Sequence, residues 1–205
     1  MKNQRVFTVL LVILLAVLAA GCHMHMVDGN GKIVIEERTV DEGFYAVELT
    51  GVGKVDIYPG ESYNGREYAV TVTTDSNIQH LVVITSDGSK LCIDEKSRHS
   101  FDPTKLAIDV YLPELRSVSL GGVGTVKVNS GSVTNLAISL SGVGEISAQN
   151  YQAQTVDVTL SGTGNVKTWA ENALTGKLSG IGDILYKGNP AKNVRETGIG
   201  KVKRL

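Results

Sequence analysis

The sequence contains little cysteine, few aromatic side chains and almost no net charge. Its 205 residues include two cysteines, one tryptophan and four prolines, and the formal net charge is −1. The scarcity of aromatic residues and the lack of a basic stripe exclude a typical nucleic-acid-binding protein, so no nucleic acid is expected as a partner. No segment has the apolar periodicity of an amphipathic helix, so the sequence predicts a fold made of strands.

The longest apolar run lies at the N-terminus and indicates a targeting segment. Lys2 and Arg5 precede an apolar stretch at 6–20, which is shorter than the about 20 residues that a transmembrane helix needs. Small residues then lead into Cys22, as in a secretory signal peptide. We predict a signal peptide at 1–21, a flexible tether at 22–31 and a single domain at 32–205.

The segment Leu18-Ala19-Ala20-Gly21-Cys22 resembles a bacterial lipobox. The resemblance implies that Cys22 is the lipid-attachment residue, which anchors the protein in the bacterial cell envelope. His23 provides no inner-membrane retention signal of the aspartate type, so the outer membrane is favoured. Cys92 would then be the only unmodified cysteine, and no intrachain disulfide would form. The alternative is an ordinary signal peptide followed by a chance cysteine.

Glycine, by contrast, is abundant and regularly placed. Five Gly-X-Gly triplets begin 20, 20, 18 and 18 residues apart and a sixth stands upstream, and their first glycines are Gly51, Gly122, Gly142, Gly162, Gly180 and Gly198. A fixed period near 20 residues is typical of solenoids. A coil of about 20 residues spans about 66 Å of strand, enough for three short strands. The predicted fold is an all-β, single-domain, right-handed parallel β-helix with about 18–20 residues per coil.

Residues around each triplet fall into columns that predict the orientation of their side chains. Leucine stands two residues before the first glycine in five of the six copies, and valine or isoleucine stands two residues after the second glycine. Because side chains alternate along a strand, both columns should face the core. The residue between the glycines has the opposite parity. It should form an exposed apolar ridge, unless the glycines twist the chain and bury it at a corner.

Seven further strands are predicted before the main set of triplets, separated by turn signals such as Pro59-Gly60, Asn64-Gly65 and Asp87-Gly88. They are Lys32–Glu37, Tyr45–Thr50, Lys54–Tyr58, Tyr68–Thr74, Leu81–Thr85, Lys90–Glu95 and Leu106–Leu112. The stretch between Gly53 and Gly122 has no triplet. We interpret it as irregular coils or strand excursions within the same solenoid.

Motifs beyond the triplets carry a family resemblance. They are Val47-Glu48-Leu49-Thr50-Gly51-Val52-Gly53, Leu112-Pro113-Glu114-Leu115, the successive Leu-Ser-Gly-X-Gly units and the endings at 179–190 and 198–205. With these motifs, residues 40–205 resemble the auto-transporter adhesin family called the head GIN domain. The resemblance implies a pectin-lyase-like β-helix without the lyase's catalytic residues, and a role in cell-surface adhesion. The family commonly has serine between the glycines, whereas this chain has valine, threonine or isoleucine.

No catalytic motif stands out, so we predict that the protein is not an enzyme and that it uses no cofactor or metal. The carboxylates are interpreted as scattered, with none paired on one face of a rung: Asp56, Asp94, Asp109, Asp157 and Asp183. Glu145 and Asp183 share a column but lie two repeats apart. The segment His23-Met24-His25-Met26 has ligands that suit copper or nickel, and we interpret it as a polar tether.

The sequence therefore predicts a non-enzymatic, lipid-anchored envelope protein that acts as an adhesin or binding module. The predicted interaction ridge comprises Val123, Val143, Thr163, Ile181 and Ile199 with the flanking hydroxyls of Ser141, Ser161 and Ser179. Expected partners are the membrane, through the N-terminal lipid, and a glycan or protein on a host or neighbouring cell; a homo-oligomer is a further expectation. One alternative is a structural or stress-related envelope lipoprotein acting through homo-oligomers or a membrane partner. Another is a glycan-active β-helix enzyme.

Overall fold

A computed structural model describes residues 26–96 and 100–205, which form seventeen strands and one 3-10 turn at Gln79–Leu81. The strands are β1 (Met26–Asp28), β2 (Ile33–Arg38), β3 (Ala46–Leu49), β4 (Val52–Pro59), β5 (Ala69–Asp75), β6 (Val82–Ser86), β7 (Lys90–Glu95), β8 (Ser100–Asp102), β9 (Leu106–Leu112), β10 (Ser117–Leu120), β11 (Val123–Val128), β12 (Gly131–Leu140), β13 (Val143–Leu160), β14 (Thr163–Leu178), β15 (Ile184–Lys187), β16 (Ala191–Glu196) and β17 (Val202–Arg204). The predicted signal peptide, Cys22 and residues 23–25 lie outside the described residues. Within the described ranges, no helix is both long and apolar enough to cross a membrane.

All seven strands predicted before the main set of triplets are present, and each begins and ends within two residues of its predicted bounds. The strands β1 and β8 were not predicted. They pair in parallel as a separate two-stranded sheet, and the N–H of Gly29 donates to the carbonyl of Asp102 at 2.8 Å. Residues 26–29, which the sequence places in the tether, are thus attached to the body of the protein.

The predicted fold class, a pectin-lyase-like right-handed parallel β-helix, is wrong. The main sheet is mixed, because β2 pairs with β5, β5 with β9 and β6 with β7 in antiparallel fashion. This sheet forms a nearly closed, barrel-like structure. The chain reverses at turns that a solenoid would not contain. At one of them Asp87 accepts the N–H groups of Ser89 and Lys90 at 3.0 and 2.8 Å, and Gly88 adopts a φ of +79°. All the antiparallel strands lie before Gly122, and all of them except β2 lie in the region without triplets.

The triplets themselves stack in parallel, and their spacing sets the strand register. Val123 pairs with Val143 and Val143 with Thr163 at an offset of 20 residues, and isolated bridges join Thr163 to Ile181 and Ile181 to Ile199 at an offset of 18. The strands β13 and β14 are long enough to contribute to two sides of the core. The first part of β13 pairs with β11 and its second part with β12. Each such repeat is here called a rung.

The core lies between the two sides and is filled by the two columns predicted to point inward. The leucines are Leu49, Leu120, Leu140, Leu160 and Leu178, and each is at most 1% exposed. The β-branched residues are Val55, Val126, Ile146, Val166, Ile184 and Val202, all buried. Both predictions are confirmed. Stacked aliphatic columns exclude water from the whole length of the barrel, which is the main source of stability for such a core.

Glycine is required in the triplets because the backbones of successive rungs approach too closely for a side chain. A Cβ added to Gly144 would lie 1.8 Å from the carbonyl oxygen of Gly124, and Gly144 has a φ of +142°. A Cβ on Gly142, the first glycine of that triplet, would lie 2.0 Å from the carbonyl oxygen of Gly122. Gly121 differs, because the nearest atom to a Cβ added there would be the Ser141 hydroxyl oxygen, at 3.8 Å. Gly142 and Gly144 are therefore sterically obligatory, whereas Gly121 is not.

Two buried polar side chains fix the connections around the core. The Tyr151 hydroxyl donates to the Leu115 carbonyl at 3.0 Å and accepts the Leu115 N–H at 3.2 Å. Asp75 accepts the N–H groups of Gly31 and Thr104 at 2.7 and 2.8 Å. Burial by itself raises the pKa of Asp75, but these hydrogen bonds outweigh it and hold the pKa below its usual value. Each contact satisfies backbone groups that would otherwise be unpaired.

The stacking of the triplets predicts a sharp difference between neighbouring glycines. We expect Gly144→Ala to lower the free energy of unfolding by about 3 kcal/mol or more, because it adds a backbone clash to an unfavourable φ. Gly121→Ser should change it by less than about 0.5 kcal/mol, since serine already occupies that column in other rungs. Urea unfolding of the two variants measures both values. Equal stabilities would contradict the role assigned to the close backbone contact.

Candidate functional site

The residues between the glycines form an exposed row, here called the aliphatic ladder. Its members are Val52, Val123, Val143, Thr163, Ile181 and Ile199. The valines and Ile181 are 48–53% exposed and Ile199 is 71% exposed, and Thr163 is exposed as well. The column therefore projects into solvent and is not buried at a corner. The structure brings together all five ladder residues predicted for the interaction ridge, and it adds Val52.

The ladder is held rigidly by backbone hydrogen bonds between rungs. The backbone N–H groups of Val143, Thr163 and Ile181 each donate to the carbonyl oxygen of the first glycine in the preceding triplet, at 2.9 Å. Five steps at the usual strand spacing of about 4.8 Å give the row a length of about 24 Å. Because glycines flank every member, no neighbouring side chain in the same strand covers it. The result is a preorganised row of six β-branched side chains.

A column of hydroxyl groups runs along one side of the ladder. Ser141 and Ser161 are exposed and Ser179 is half-buried. At the two ends of this column, the hydroxyls of Thr50 and Thr197 donate to the carbonyl groups of Ile93 and Leu178 in the neighbouring strands, at 3.2 and 3.4 Å. The three serines make no side-chain hydrogen bond to any described residue, so their hydroxyls are available to a ligand.

The column on the other side of the ladder is polar, and its groups bind one another. Glu145 pairs with Lys167 at 2.9 Å and Asp183 with Lys203 at 2.6 Å. The Asn165 side chain accepts the N–H of Asp183 at 3.0 Å, and Asp183 in turn accepts the N–H of Lys201 at 2.8 Å. The bond from Lys203 and that from the Lys201 backbone hold the pKa of Asp183 below its usual value. This column stabilises the stack, which leaves the ladder and the serines as the surface free for contact.

One pair of carboxylates was missed by sequence reasoning. Asp56 on β4 and Asp109 on β9 are direct partners in neighbouring parallel strands, although the sequence was interpreted as having no such pair. Two residues further along, Tyr58 stacks on Tyr111 with ring centroids 4.9 Å apart. The shared pattern Asp-X-Tyr in the two strands is the signal that could have revealed the pairing.

The electrostatics of this pair reflect its partial burial. Burial, and next the charge of Asp56, raise the pKa of Asp109. Burial, and next the charge of Asp109, raise the pKa of Tyr58 to about 12. Asp56 is only 8% exposed and is paired with Lys54 at 3.2 Å, so it is not a free carboxylate. Across residues 26–96 and 100–205, no three His, Cys, Asp or Glu side chains gather as a metal ion would require.

The chain is similar to several solved structures. A putative adhesin from Bacteroides fragilis NCTC 9343 is 21% identical with a TM-score of 0.62, and the match covers 87% of this chain and 100% of that chain. At that identity the likeness shows the fold alone. A putative lipid binding protein from Parabacteroides distasonis ATCC 8503 is 17% identical with a TM-score of 0.48, covering 88% and 100% of the two chains. No curated protein matches the chain significantly.

The family match is more extensive and confirms the resemblance seen in the sequence. The family covers residues 61–130 and 117–190, which together are more than half of the chain. Its description is that of an adhesin and not of an enzyme. The matched region includes four of the six ladder residues, Val123, Val143, Thr163 and Ile181. The chain therefore belongs to the family described as "Putative auto-transporter adhesin, head GIN domain".

Proposed function

We propose that this protein is a non-enzymatic binding module of the bacterial cell envelope, which contacts a ligand on another surface through the aliphatic ladder and the serine column. The observation that carries the proposal is the ladder itself, an apolar row about half exposed to water. Membership of a family described as an adhesin supports a surface-binding role.

The ladder position has no structural need for an aliphatic side chain. Its members point away from the core, and the rungs are held together by backbone hydrogen bonds and glycine contacts. A polar residue would be better solvated there, yet five of the six positions carry valine or isoleucine. Contiguous exposed apolar groups on a soluble surface commonly mark interaction sites. The rigid backbone also lowers the ordering cost of binding.

The size of this surface favours weak contacts made in large numbers. The ladder and the column on each side occupy about 24 by 20 Å, or about 480 Å². A stable protein–protein interface buries about 800 Å² on each partner. The surface is therefore small for a permanent dimer and suits a ligand presented in many copies, where multivalency multiplies a weak affinity.

The proposal includes a lipid anchor at the N-terminus. A signal peptide at 1–21 would be removed, and Cys22 would carry the lipid that attaches the mature protein to the envelope, with the outer membrane favoured. Only residues 23–25 separate Cys22 from β1. The ladder would then be carried on a short connection close to the surface of the cell.

A double substitution in the ladder tests the binding surface. We expect Val143→Ser with Ile181→Ser to weaken ligand binding at least tenfold, which corresponds to about 1.4 kcal/mol, because it removes two apolar contacts. The free energy of unfolding should change by less than about 1 kcal/mol, since both side chains are exposed. Binding is measured with the full chain coupled to beads, on arrays of glycans and extracellular-matrix proteins.

The matched control is Ile33→Ser with Ile35→Ser, which removes two partly exposed isoleucines from β2, away from the ladder. It should leave binding unchanged. No saturable ligand on the arrays, or equal losses in the two double variants, would contradict the proposed site. Ladder-dependent self-association without a foreign ligand would instead support the envelope component that acts through homo-oligomers.

The lipid anchor has its own prediction. In membranes of the producing bacterium, the N-terminal peptide of the mature protein should begin at Cys22 and carry the mass of a diacylglycerol-linked cysteine. Cys22→Ala should abolish that mass because it removes the only thiol at the site. Mass spectrometry of the purified full-length product measures both. An unmodified Cys22 in the wild-type protein would show an ordinary signal peptide.

A further inference from the structure

Charge is distributed very unevenly along the stack of strands. The last rung, residues 191–205, contains one acidic side chain, Glu196, and five basic residues: Lys192, Arg195, Lys201, Lys203 and Arg204. The net charge of its side chains is therefore +4. The rest of the chain from residue 22 to 190 holds 13 basic and 20 acidic side chains, a net charge of −7. A strongly basic end on an otherwise acidic protein favours an anionic partner.

The last rung is also an open end of the sheet. The strand β16 pairs only with β14, and β17 pairs only with β15, so each has a strand on one side alone among the described residues. Ile199 between them bridges only to Ile181. These segments therefore form one edge of the described sheet. We call this surface, residues 191–205, the basic end face.

The basic groups on this face are accessible. All five are exposed. Lys203 pairs with Asp183 at 2.6 Å and Lys192 with Glu196 at 3.9 Å, whereas Arg195, Lys201 and Arg204 form no ion pair with any described residue. Ile199, at 71%, is the most exposed large hydrophobic residue of the described chain, and Leu205 is 53% exposed. Lysine and arginine around a few exposed aliphatic side chains are typical of surfaces that bind anionic membranes.

The basic end face is far from the N-terminal strands in the order of the sheet. Gly31 is bonded to Asp75 at the end of β5, and seven strand steps separate β5 from β17 in the order β5, β9, β4, β11, β13, β14, β15, β17. At about 4.8 Å per step this path along the sheet is about 34 Å long.

From these observations we infer that the basic end face docks on an anionic lipid bilayer. The five basic groups match the charge of such a surface, and Ile199 and Leu205 can enter its interfacial region. Only the attachment of the chain to donor vesicles in the test depends on the lipid anchor proposed above. The affinity of the face for anionic lipid does not depend on the anchor or on the binding role of the ladder.

Vesicle tethering tests this inference with the protein as it exists. The full-length lipidated chain is reconstituted in donor vesicles of phosphatidylcholine, and flotation first verifies its attachment. Acceptor vesicles contain either phosphatidylglycerol with phosphatidylcholine or phosphatidylcholine alone. Light scattering should show tethering of the anionic acceptors only. High salt should abolish it, because the Debye length falls from about 10 Å at 0.1 M to about 3 Å at 1 M.

Charge-neutral variants locate the contact. Arg195→Gln with Lys201→Gln and Arg204→Gln should raise the acceptor concentration needed for half-maximal tethering about 100-fold, at about fivefold for each basic side chain. The control Lys96→Gln with Lys105→Gln and Lys127→Gln makes the same charge change at exposed lysines elsewhere and should have little effect. If the triple variant fails to fold, Lys201→Gln alone replaces it, and the acceptor concentration needed for half-maximal tethering should rise about fivefold.

Several outcomes would overturn the inference. Equal tethering of anionic and neutral acceptors would do so, as would equal effects of the two triple variants. Capture of the chain by heparin beads without tethering of anionic vesicles would identify an acidic polysaccharide as the partner instead of a membrane. A protein that fails to float with the donor vesicles would refute the lipid anchor. In that case, direct binding of the chain to anionic vesicles still decides the inference. Val143→Ser with Ile181→Ser should leave tethering intact, which separates this surface from the ladder.

Discussion

The close approach of backbones at the Gly-X-Gly triplets is the constraint on which the rest of the structure depends. Carbonyl oxygens of one rung lie where a Cβ of the next rung would be, within 1.8–2.0 Å at Gly142 and Gly144. Any side chain at these glycines would separate the rungs and break the N–H bonds between them. The same contact leaves the middle residue as the only side chain at each corner and directs it outward. The core columns and the aliphatic ladder thus arise from one backbone arrangement.

This arrangement divides stability and recognition between different residues. Leucines and β-branched residues on one parity fill the core, and the polar column from Glu145 to Lys201 supports the stack through its own hydrogen bonds. The ladder and the serines take no part in either task. Their side chains can therefore be substituted without loss of the fold. Charge segregation adds a second surface at residues 191–205.

Most local features of the fold could be predicted from the sequence, whereas the arrangement of the first half could not. Alternation and turn residues located the strands, and parity identified the buried leucine and valine columns, because both depend on neighbours in the chain. The antiparallel pairing of β5 with β9 depends on contacts between residues far apart, and the repeat spacing carries no information about it. The pairing of Asp56 with Asp109 was missed for the same reason. Within the ladder, parity predicted the outward direction, but only the structure decided between exposure and burial at a corner.

The central claim is that the glycine contact displays the ladder to solvent, and thiol labelling tests it most directly. In a background with Cys22→Ser and Cys92→Ser, Val143→Cys places a single reporter thiol on the ladder, and Ile138→Cys places one at a core position that is 2% exposed. The account predicts that the thiol at position 143 reacts with a maleimide in the folded protein as fast as in the urea-unfolded chain, while that at position 138 is protected. Equal protection at the two positions in the folded protein would contradict it.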